Sequence, residues 1–265
     1  MAPEPIYTAE NCIPAYQLFW SLAVFWHAPA PDPAGWLTTL QQVVEPDGVR
    51  ILEHHQRSLK VSQFLLSSKC AVTPAQMIRS VKGRLQYLVR REQTKAFQRN
   101  YSIKSVGEAR RHAIEKYVRS QLNHHGMADE KVQQALAAFQ APATAVDLGQ
   151  VRRSSHGEFI YNLHVVFVHD GRWHEVRPEV LASIRSMVLR ASAKKGHVLS
   201  ALGLLSDHVH LTLGCSLTES PLGVAVGYLN NLAYAQGMKR VYQYGFYVGT
   251  FGEYDLGAIR KYTKE

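Results

Sequence analysis

Apolar and polar positions along the chain follow strand-like and helix-like patterns in the same order twice. Each half begins with an apolar run of strand-forming residues, at 15–27 and at 159–169. In the second half a helix is predicted from Pro178 to about Ala193, because proline favours the first turn of a helix, and an apolar strand follows over 206–214. Strands and helices that alternate over so short a length predict a compact α+β unit with helices packed on one sheet.

The remaining elements also occur in both halves. A second helix is predicted to begin at Pro74 in the first half and at Pro221 in the second, followed by an extended segment rich in aromatic residues. A terminal helix then carries Tyr117 or Tyr262. The predicted fold class is therefore α+β, with one arrangement of elements used twice.

Aligned identities support a tandem duplication. At an offset of 145 the paired residues are Gln98 and Gln243, Gly107 and Gly252, Ala113 and Ala258, and Tyr117 and Tyr262. An ordered series of this kind indicates an internal repeat, which must be identified before any motif is interpreted. We therefore predict a first unit at 12–124, a linker at 125–157 and a second unit at 158–265.

The positive charge of the chain is concentrated in one segment. The chain contains 30 Lys or Arg and 21 Asp or Glu, a formal net charge of +9, and twelve of these basic residues but only three acidic ones lie in 79–119. Such a cluster predicts a nucleic-acid contact surface. The candidate DNA-binding residues are Arg79, Lys82, Arg84, Arg90, Arg91, Arg99, Lys104, Arg110, Arg111, Lys116 and Arg119.

The cysteine count and the apolar runs bear on the cellular compartment. Cys12, Cys70 and Cys215 are odd in number and lack paired spacing, so a disulfide framework is not predicted. The first residues lack the features of a signal peptide, and no apolar run reaches the length of a membrane span. We expect a cytoplasmic protein, nucleoid-associated if the source is bacterial, with no membrane partner.

Two histidines in the predicted strand 206–214 are the strongest chemical signal. His208 and His210 are two residues apart, so their side chains project from the same face of a strand, while Val209 and Leu211 project from the other face. Two neighbouring imidazoles can share one divalent cation. A His-x-His pattern alone is weak, and tolerated strand histidines are the commoner explanation.

Other motifs accompany this pair in a fixed order. His164 lies upstream in an apolar strand, the segment 245–252 reads Gly-Phe-Tyr-Val-Gly-Thr-Phe-Gly, and Tyr262 follows in a predicted helix. In this combination the chain resembles the single-tyrosine HUH transposases, a family that includes the REP-associated tyrosine transposases. The resemblance covers 159–265 and extends in degraded form over 12–124.

The resemblance implies a specific fold and chemistry. Each unit would be ferredoxin-like (RRM-like), an antiparallel sheet with helices packed on it. The partner would be single-stranded DNA, with hairpin structure in the family, and the cofactor would be Mg or Mn. The two histidines would bind this cation, a tyrosine would become linked to the 5′-phosphate, and a glutamine four residues after the tyrosine would be a third metal ligand. A support role is expected for His164.

The two units divide these residues between them. A gap-free alignment of the two units makes Gln63 and Leu65 equivalent to His208 and His210. An alignment shifted by two residues makes Val61 and Gln63 equivalent to them instead. Either way the first unit lacks the histidines. It has the tyrosine helix with the glutamine, however, as Tyr117 and Gln121, whereas the printed sequence ends three residues after Tyr262.

We therefore hypothesise one composite active site in a monomeric pseudo-dimer. His208, His210 and Gln121 would bind the metal, and Tyr117 would be the nucleophile. The complementary site, with Tyr262, would be vestigial. Two alternatives remain: a site within the second unit in which Tyr262 attacks, and a transposase-derived DNA-binding protein without catalytic activity.

Overall fold

Two six-stranded sheets form the framework of the chain. The computed structural model describes residues 4–124, 130–142 and 146–257. In the first unit the elements are β1 (Ile13–Gln17), β2 (Phe19–Trp26), α1 (Leu37–Val44), β3 (Val49–Ser58), β4 (Val61–Ser68), α2 (Pro74–Val89), β5 (Phe97–Val106), α3 (Arg111–Arg119) and α4 (Gln121–His124). In the rest of the chain they are α5 (Glu130–Ala137), β6 (Ala141–Pro142), β7 (Arg152–Arg153), β8 (Gly157–Ile160), β9 (Asn162–His169), α6 (Pro178–Lys195), β10 (Val198–Leu204), β11 (His208–Gly214), α7 (Pro221–Ala235) and β12 (Tyr242–Phe251).

The two sheets share one strand order. The first contains β3-β4-β2-β5-β8 and the second β10-β11-β9-β12-β1, so the strands correspond one to one. Within each unit the four main strands are antiparallel, and helices follow the first and third of them. The mixed α+β class predicted from the sequence is therefore confirmed.

Each sheet also takes strands from outside its own unit. β1 pairs in parallel with β12, and β8 pairs in parallel with β5, so the expectation of purely antiparallel sheets was wrong. The physical reason is that the chain passes from one sheet to the other at Leu18 and at Tyr161, so β1 and β8 lie in different sheets from β2 and β9, which follow them. The predicted linker is part of this framework, because β6 pairs with β10 and β7 pairs with β8.

Equivalent buried hydroxyl groups join the two units at the strand exchange. The Thr250 hydroxyl accepts a hydrogen bond from the Phe19 N–H (2.8 Å) and donates one to the Val106 carbonyl (2.7 Å). In the other unit, the Ser105 hydroxyl accepts from the Asn162 N–H (3.0 Å) and donates to the carbonyl of residue 251 (2.7 Å). Each hydroxyl thus satisfies backbone groups of the opposite unit where strand pairing changes.

Two equivalent glycines allow the backbones to approach closely at this junction. A Cβ atom on Gly107 would lie 2.4 Å from the Thr250 carbonyl oxygen, and one on Gly252 would lie 2.1 Å from the Ser105 carbonyl oxygen. Both distances are far below van der Waals contact, so a larger residue would push the two sheets apart. The repeated identity of Gly107 and Gly252 therefore has a packing reason.

We expect Thr250→Val to destabilise the protein by about 1–3 kcal/mol, because the isosteric valine leaves buried backbone groups without their hydroxyl partner. Urea unfolding followed by circular dichroism measures the change. Thr39→Val is the matched control, since Thr39 is exposed on α1, and it should change the free energy of unfolding by less than about 0.5 kcal/mol. Equal effects of the two substitutions would show that the junction contributes nothing specific.

Local signals explain the long helices. The helices predicted at Pro74, Pro178 and Pro221 begin at those residues. Thr73 caps α2 through a hydrogen bond from the N–H of Gln76, whose side chain bonds back to Thr73. The apolar residues of α2, α6 and α7 join one core cluster with both sheets. None of the helices in the described ranges combines the length and apolar character that a membrane crossing requires.

Candidate active site

β11 presents two histidines on one face of the second sheet. The rings of His208 and His210 lie with their centroids 4.9 Å apart, and both side chains are largely buried. Val209 and Leu211 alternate with them and belong to the apolar core. The two-residue period of the strand therefore separates a polar face from a core face.

His164 lies beside this pair on the neighbouring strand β9. Its Nε2 atom is 3.0 Å from Nδ1 of His210, and the two rings are nearly parallel. Burial lowers the pKa of His164 to about 4, so this imidazole is neutral at pH 7 and can accept a hydrogen bond. If His210 donates from Nδ1, its Nε2 lone pair is the one that can bind a cation.

A carboxylate orients the other histidine. Oδ1 of Asp207 lies 2.6 Å from Nδ1 of His208, and the Arg172 guanidinium contacts Oδ2 at 2.9 Å. Burial raises the pKa of Asp207, but the hydrogen bonds from His208 and Arg172 outweigh it and hold the pKa below its usual value. The carboxylate therefore stays ionised and favours the tautomer in which His208 presents Nε2 to a cation.

The tyrosine helix of the first unit crosses to this face of the second sheet. α3 packs against β10 and β11, and the ring of Tyr117 stands edge-on to His210 and His164, with centroids 5.9 Å and 6.4 Å away. The Tyr117 side chain remains 45% exposed, so its hydroxyl can be approached from solvent. The structure thus brings a phenol from one unit beside His210 and His164 of the other.

A glycine in β10 makes room for this helix. Gly203 pairs with His210 across the sheet, and a Cβ atom at this position would lie 3.1 Å from the carbonyl oxygen of Val118 on α3. Val118 is fully buried in this contact. A side chain at position 203 would therefore lift the tyrosine helix away from the histidines.

Gln121 lies beyond the end of the tyrosine helix rather than on it. α3 ends at Arg119, the N–H of Ser120 caps the carbonyls of Lys116 and Tyr117, and Gln121 begins the separate helix α4. The assumption that Tyr117 and Gln121 lie on one continuous helix face is therefore wrong, although the Gln121 side chain is buried. The other candidate nucleophile, Tyr262, lies outside the described residues.

No protein-family model and no curated protein matches this chain. The chemistry of the site is therefore the evidence that bears on function. The decisive geometry is the approach of Tyr117 to His210 and His164.

The residues of the site supply only some of the ligands that a divalent cation needs. Among the described residues no group of three or more His, Cys, Asp or Glu side chains could hold a metal ion. The site instead offers two imidazoles, one of them oriented by Asp207 in the arrangement common for metal-binding histidines. With the carbonyl oxygen of Gln121, the set would be mixed nitrogen and oxygen, which suits Mn²⁺ better than Mg²⁺.

The strand register identifies the equivalent positions in the first unit. Val166 of β9 pairs with His210, and Ala23 of β2 pairs with Gln63. Because β2 and β9 are equivalent strands, Gln63 takes the place of His210 and Val61 takes the place of His208. The structure thus agrees with the alignment that is shifted by two residues. Leu65 lies two residues beyond Gln63 on β4.

The predicted DNA-binding residues fall into two groups. Four make hydrogen bonds or ion pairs within the protein: Lys82 donates to the carbonyls of residues 98–100, Arg84 pairs with Asp47, Arg110 pairs with Asp255, and Arg111 pairs with Asp147, Glu115 and Glu253. The other seven form no ion pair within the part of the chain that the structure describes: Arg79, Arg90, Arg91, Arg99, Lys104, Lys116 and Arg119. The second group is the better candidate surface for a polyanion.

Sequence reasoning missed three residues of the site. Asp207 and Arg172 position His208, and Gly203 admits the tyrosine helix. Asp207 had a signal in the sequence, because a carboxylate directly before a candidate metal-binding histidine can orient its ring. No sequence signal marked Arg172 or Gly203, because the role of Arg172 depends on the position of a loop and that of Gly203 depends on strand register.

Proposed function

We propose that this protein is a metal-dependent enzyme of the HUH tyrosine transposase type, which nicks and rejoins single-stranded DNA through a 5′-phosphotyrosine. The observation that carries the proposal is the position of Tyr117, half-exposed on a helix of the first unit and 5.9 Å from the His210 ring of the second. This arrangement forms one composite site within a single chain. The approach of a phenol to a histidine pair suits phosphoryl transfer better than a purely structural role.

The strand order supports a ferredoxin-like fold for each unit. Both units follow the order β-α-β-β-α-β, and the spatial order of their four antiparallel strands is second, third, first, fourth. This connectivity is the one expected of a ferredoxin-like unit and supports that assignment. The fold places the first and third strands at the centre, where β9 and β11 carry His164, His208 and His210.

The chemistry begins with the Tyr117 hydroxyl. Its oxygen attacks a backbone phosphorus of the DNA, the bond from phosphorus to the 3′-oxygen breaks, the phenol proton passes to solvent and the 3′-oxygen takes up a proton. A free phenol has a pKa of about 10 and is a weak nucleophile at neutral pH. A divalent cation held by His208, His210 and Gln121 would supply Lewis-acid polarisation of the phosphate.

The covalent product explains why one site can both cut and join. The phosphotyrosine keeps the energy of the broken phosphodiester, so attack by a DNA 3′-hydroxyl reverses the step without ATP. Because the chain has one such composite site, it would hold one covalent intermediate at a time. Lys116 and Arg119 lie on the same helix as Tyr117 and would contact phosphates next to the cleaved one.

Covalent capture tests the proposal. Single-stranded DNA labelled at its 3′ end should become attached to the protein in Mn²⁺ or Mg²⁺, and the adduct should survive denaturing electrophoresis. EDTA should prevent its formation. Binding that is insensitive to EDTA, without any adduct on hairpin or unstructured DNA, would instead favour the non-catalytic DNA-binding protein.

We expect Asp207→Asn to raise the Mn²⁺ concentration needed for half-maximal adduct formation by about 10- to 100-fold, the usual effect of losing the group that orients a metal-binding histidine. The amide cannot hold the imidazole of His208 as a carboxylate does. Adduct yield measured over a Mn²⁺ titration gives the value. Asp47→Asn is the control, because Asp47 pairs with Arg84 in the first unit, and an equal shift for both variants would contradict the role of Asp207.

A further inference from the structure

A cavity occupies the position in the first unit that corresponds to the candidate active site. Its volume is about 550 Å³. It lies over the face of the first sheet and is closed on one side by Gly149 and Val151 of the linker. The polar and charged residues from the first sheet that line it are Ser21, Arg57, Gln63, Ser102, Lys104 and Ser105.

Strand register shows how the two clefts correspond. Ser21 pairs with Lys104 in the first sheet, and His164 pairs with Gly249 in the second. The equivalence of β2 with β9 and of β5 with β12 therefore puts Ser21 in the place of His164 and Lys104 in the place of Gly249. An ammonium group thus stands on the sheet face of the cleft that has no histidine pair.

The floor of this cleft is an ordered polar network. The Arg57 guanidinium donates to Oε1 of Gln63 at 2.5 Å, and Nε2 of Gln63 donates to the Ser21 hydroxyl at 2.7 Å. The second contact matches the one between His164 and His210 in the other cleft. The residues at these positions in the first unit therefore differ chemically from the histidines of the second, but they keep this face of the sheet polar.

The charge of the cavity is positive at its sheet face. Lys104 is half-buried and forms no ion pair with any residue in the described ranges. Glu253 also lines the cavity, but its carboxylate pairs with Arg111. A half-buried ammonium group attracts an anion more strongly than exposed surface charges do, since solvent screens it less.

We propose that this cleft binds a phosphate group of single-stranded DNA without a metal ion, with Lys104 supplying the positive charge that a cation would supply in the other cleft. The inference rests on the proposed function for the identity of the polyanion. Without a histidine pair the cleft cannot form a second metal site of the same kind. It holds a second segment of the strand while Tyr117 acts on the first.

The test measures DNA binding in EDTA, which removes divalent cations, so that no metal at the candidate active site can contribute to the affinity. Fluorescence anisotropy of a labelled oligothymidylate of about 30 nucleotides gives the affinity over a salt titration. Lys104→Ala should weaken binding by about five-fold and reduce the salt slope by about 0.7, the value for one phosphate contact on a single strand. Lys104→Arg should restore both values.

Two further variants separate the cleft from the general surface. Gln63→Glu places a carboxylate on the cavity floor and should weaken binding at least as much as Lys104→Ala. Lys194→Ala removes an exposed charge at the end of α6 and should change neither value. Melting temperatures within about 2 °C of the wild type would show that the variants are folded.

The outcomes also separate this inference from the proposed function. Equal EDTA-resistant affinities for the wild type, Lys104→Ala and Gln63→Glu would overturn the inference, whether or not the protein forms a covalent adduct. Absence of any adduct in the wild type would overturn the proposed function. In that case a loss of binding in Lys104→Ala would still support the cleft as a phosphate site.

Discussion

Replacing Tyr117 with phenylalanine is expected to abolish the covalent DNA adduct, with a loss of at least about 10³-fold in the rate of its formation. Phenylalanine keeps the ring that faces His210 and His164 but lacks the oxygen to which the phosphate is transferred. Binding of single-stranded DNA should therefore stay within about two-fold of the wild type. The rate is measured with DNA labelled at its 3′ end, because the protein would remain on the 5′-phosphate of that fragment.

Two other tyrosines provide the controls for this experiment. Tyr234 is exposed near the end of α7, so Tyr234→Phe should leave adduct formation unchanged. Tyr262→Phe should also retain the adduct if the composite site operates. If Tyr117→Phe keeps the adduct while Tyr262→Phe abolishes it, the nucleophile belongs to the second unit and the composite site is wrong.

Signals that depend on short stretches of sequence predicted much of the fold. The prolines at 74, 178 and 221 mark helix starts because their fixed φ suits the first helical turn. The alternation around His208 and His210 separates core from site because a strand has a period of two. These properties depend on nearest neighbours along the chain, so the sequence displays them directly.

Strand exchange could not be predicted in the same way. β1 pairs with β12 at the other end of the chain, and β8 pairs with a strand of the other unit. Pairing between such distant segments leaves no periodic pattern, and a parallel partner does not require a turn signal beside it. The crossing of α3 to the second sheet was a hypothesis drawn from the division of Tyr117 and the histidines, not from any local pattern.

The basic segment shows the limit of counting charges. Lys82 and Arg111 belong to 79–119, yet one donates to three backbone carbonyls and the other pairs with three carboxylates. Two of those carboxylates, Asp147 and Glu253, lie far away in the sequence. Composition reports how many cations a segment holds, whereas only the fold reports which of them are already neutralised.

Duplication within one chain gives the two clefts different roles. Covalent linkage keeps the tyrosine helix of one unit close to the histidines of the other at any protein concentration. A symmetric homodimer must carry the same residues at both sites, but a fused pair can change one unit alone. Gln63 and Lys104 in the first unit, against His210 and Gly249 in the second, are differences of this kind.

The difference between the clefts suggests a substitution that the fold should tolerate. His210→Gln gives the second unit the residue that the first unit has at the equivalent position, where Gln63 bonds to the Ser21 hydroxyl at 2.7 Å. A glutamine at 210 can likewise bond to His164. We expect adduct formation to fall by about 10²- to 10³-fold, because an imidazole ligand is lost from a site with few protein ligands.

Paired measurements on this variant isolate the metal-dependent step. Electron paramagnetic resonance should show weaker Mn²⁺ binding by His210→Gln, while the affinity for single-stranded DNA in EDTA should match that of the wild type, since no charge on the DNA surface changes. His156→Gln removes an exposed imidazole and should affect neither quantity. Adduct formation by His210→Gln within about three-fold of the wild type would show that His210 is no metal ligand. The phenol of Tyr117 would then act without the cation that the histidine pair was proposed to hold.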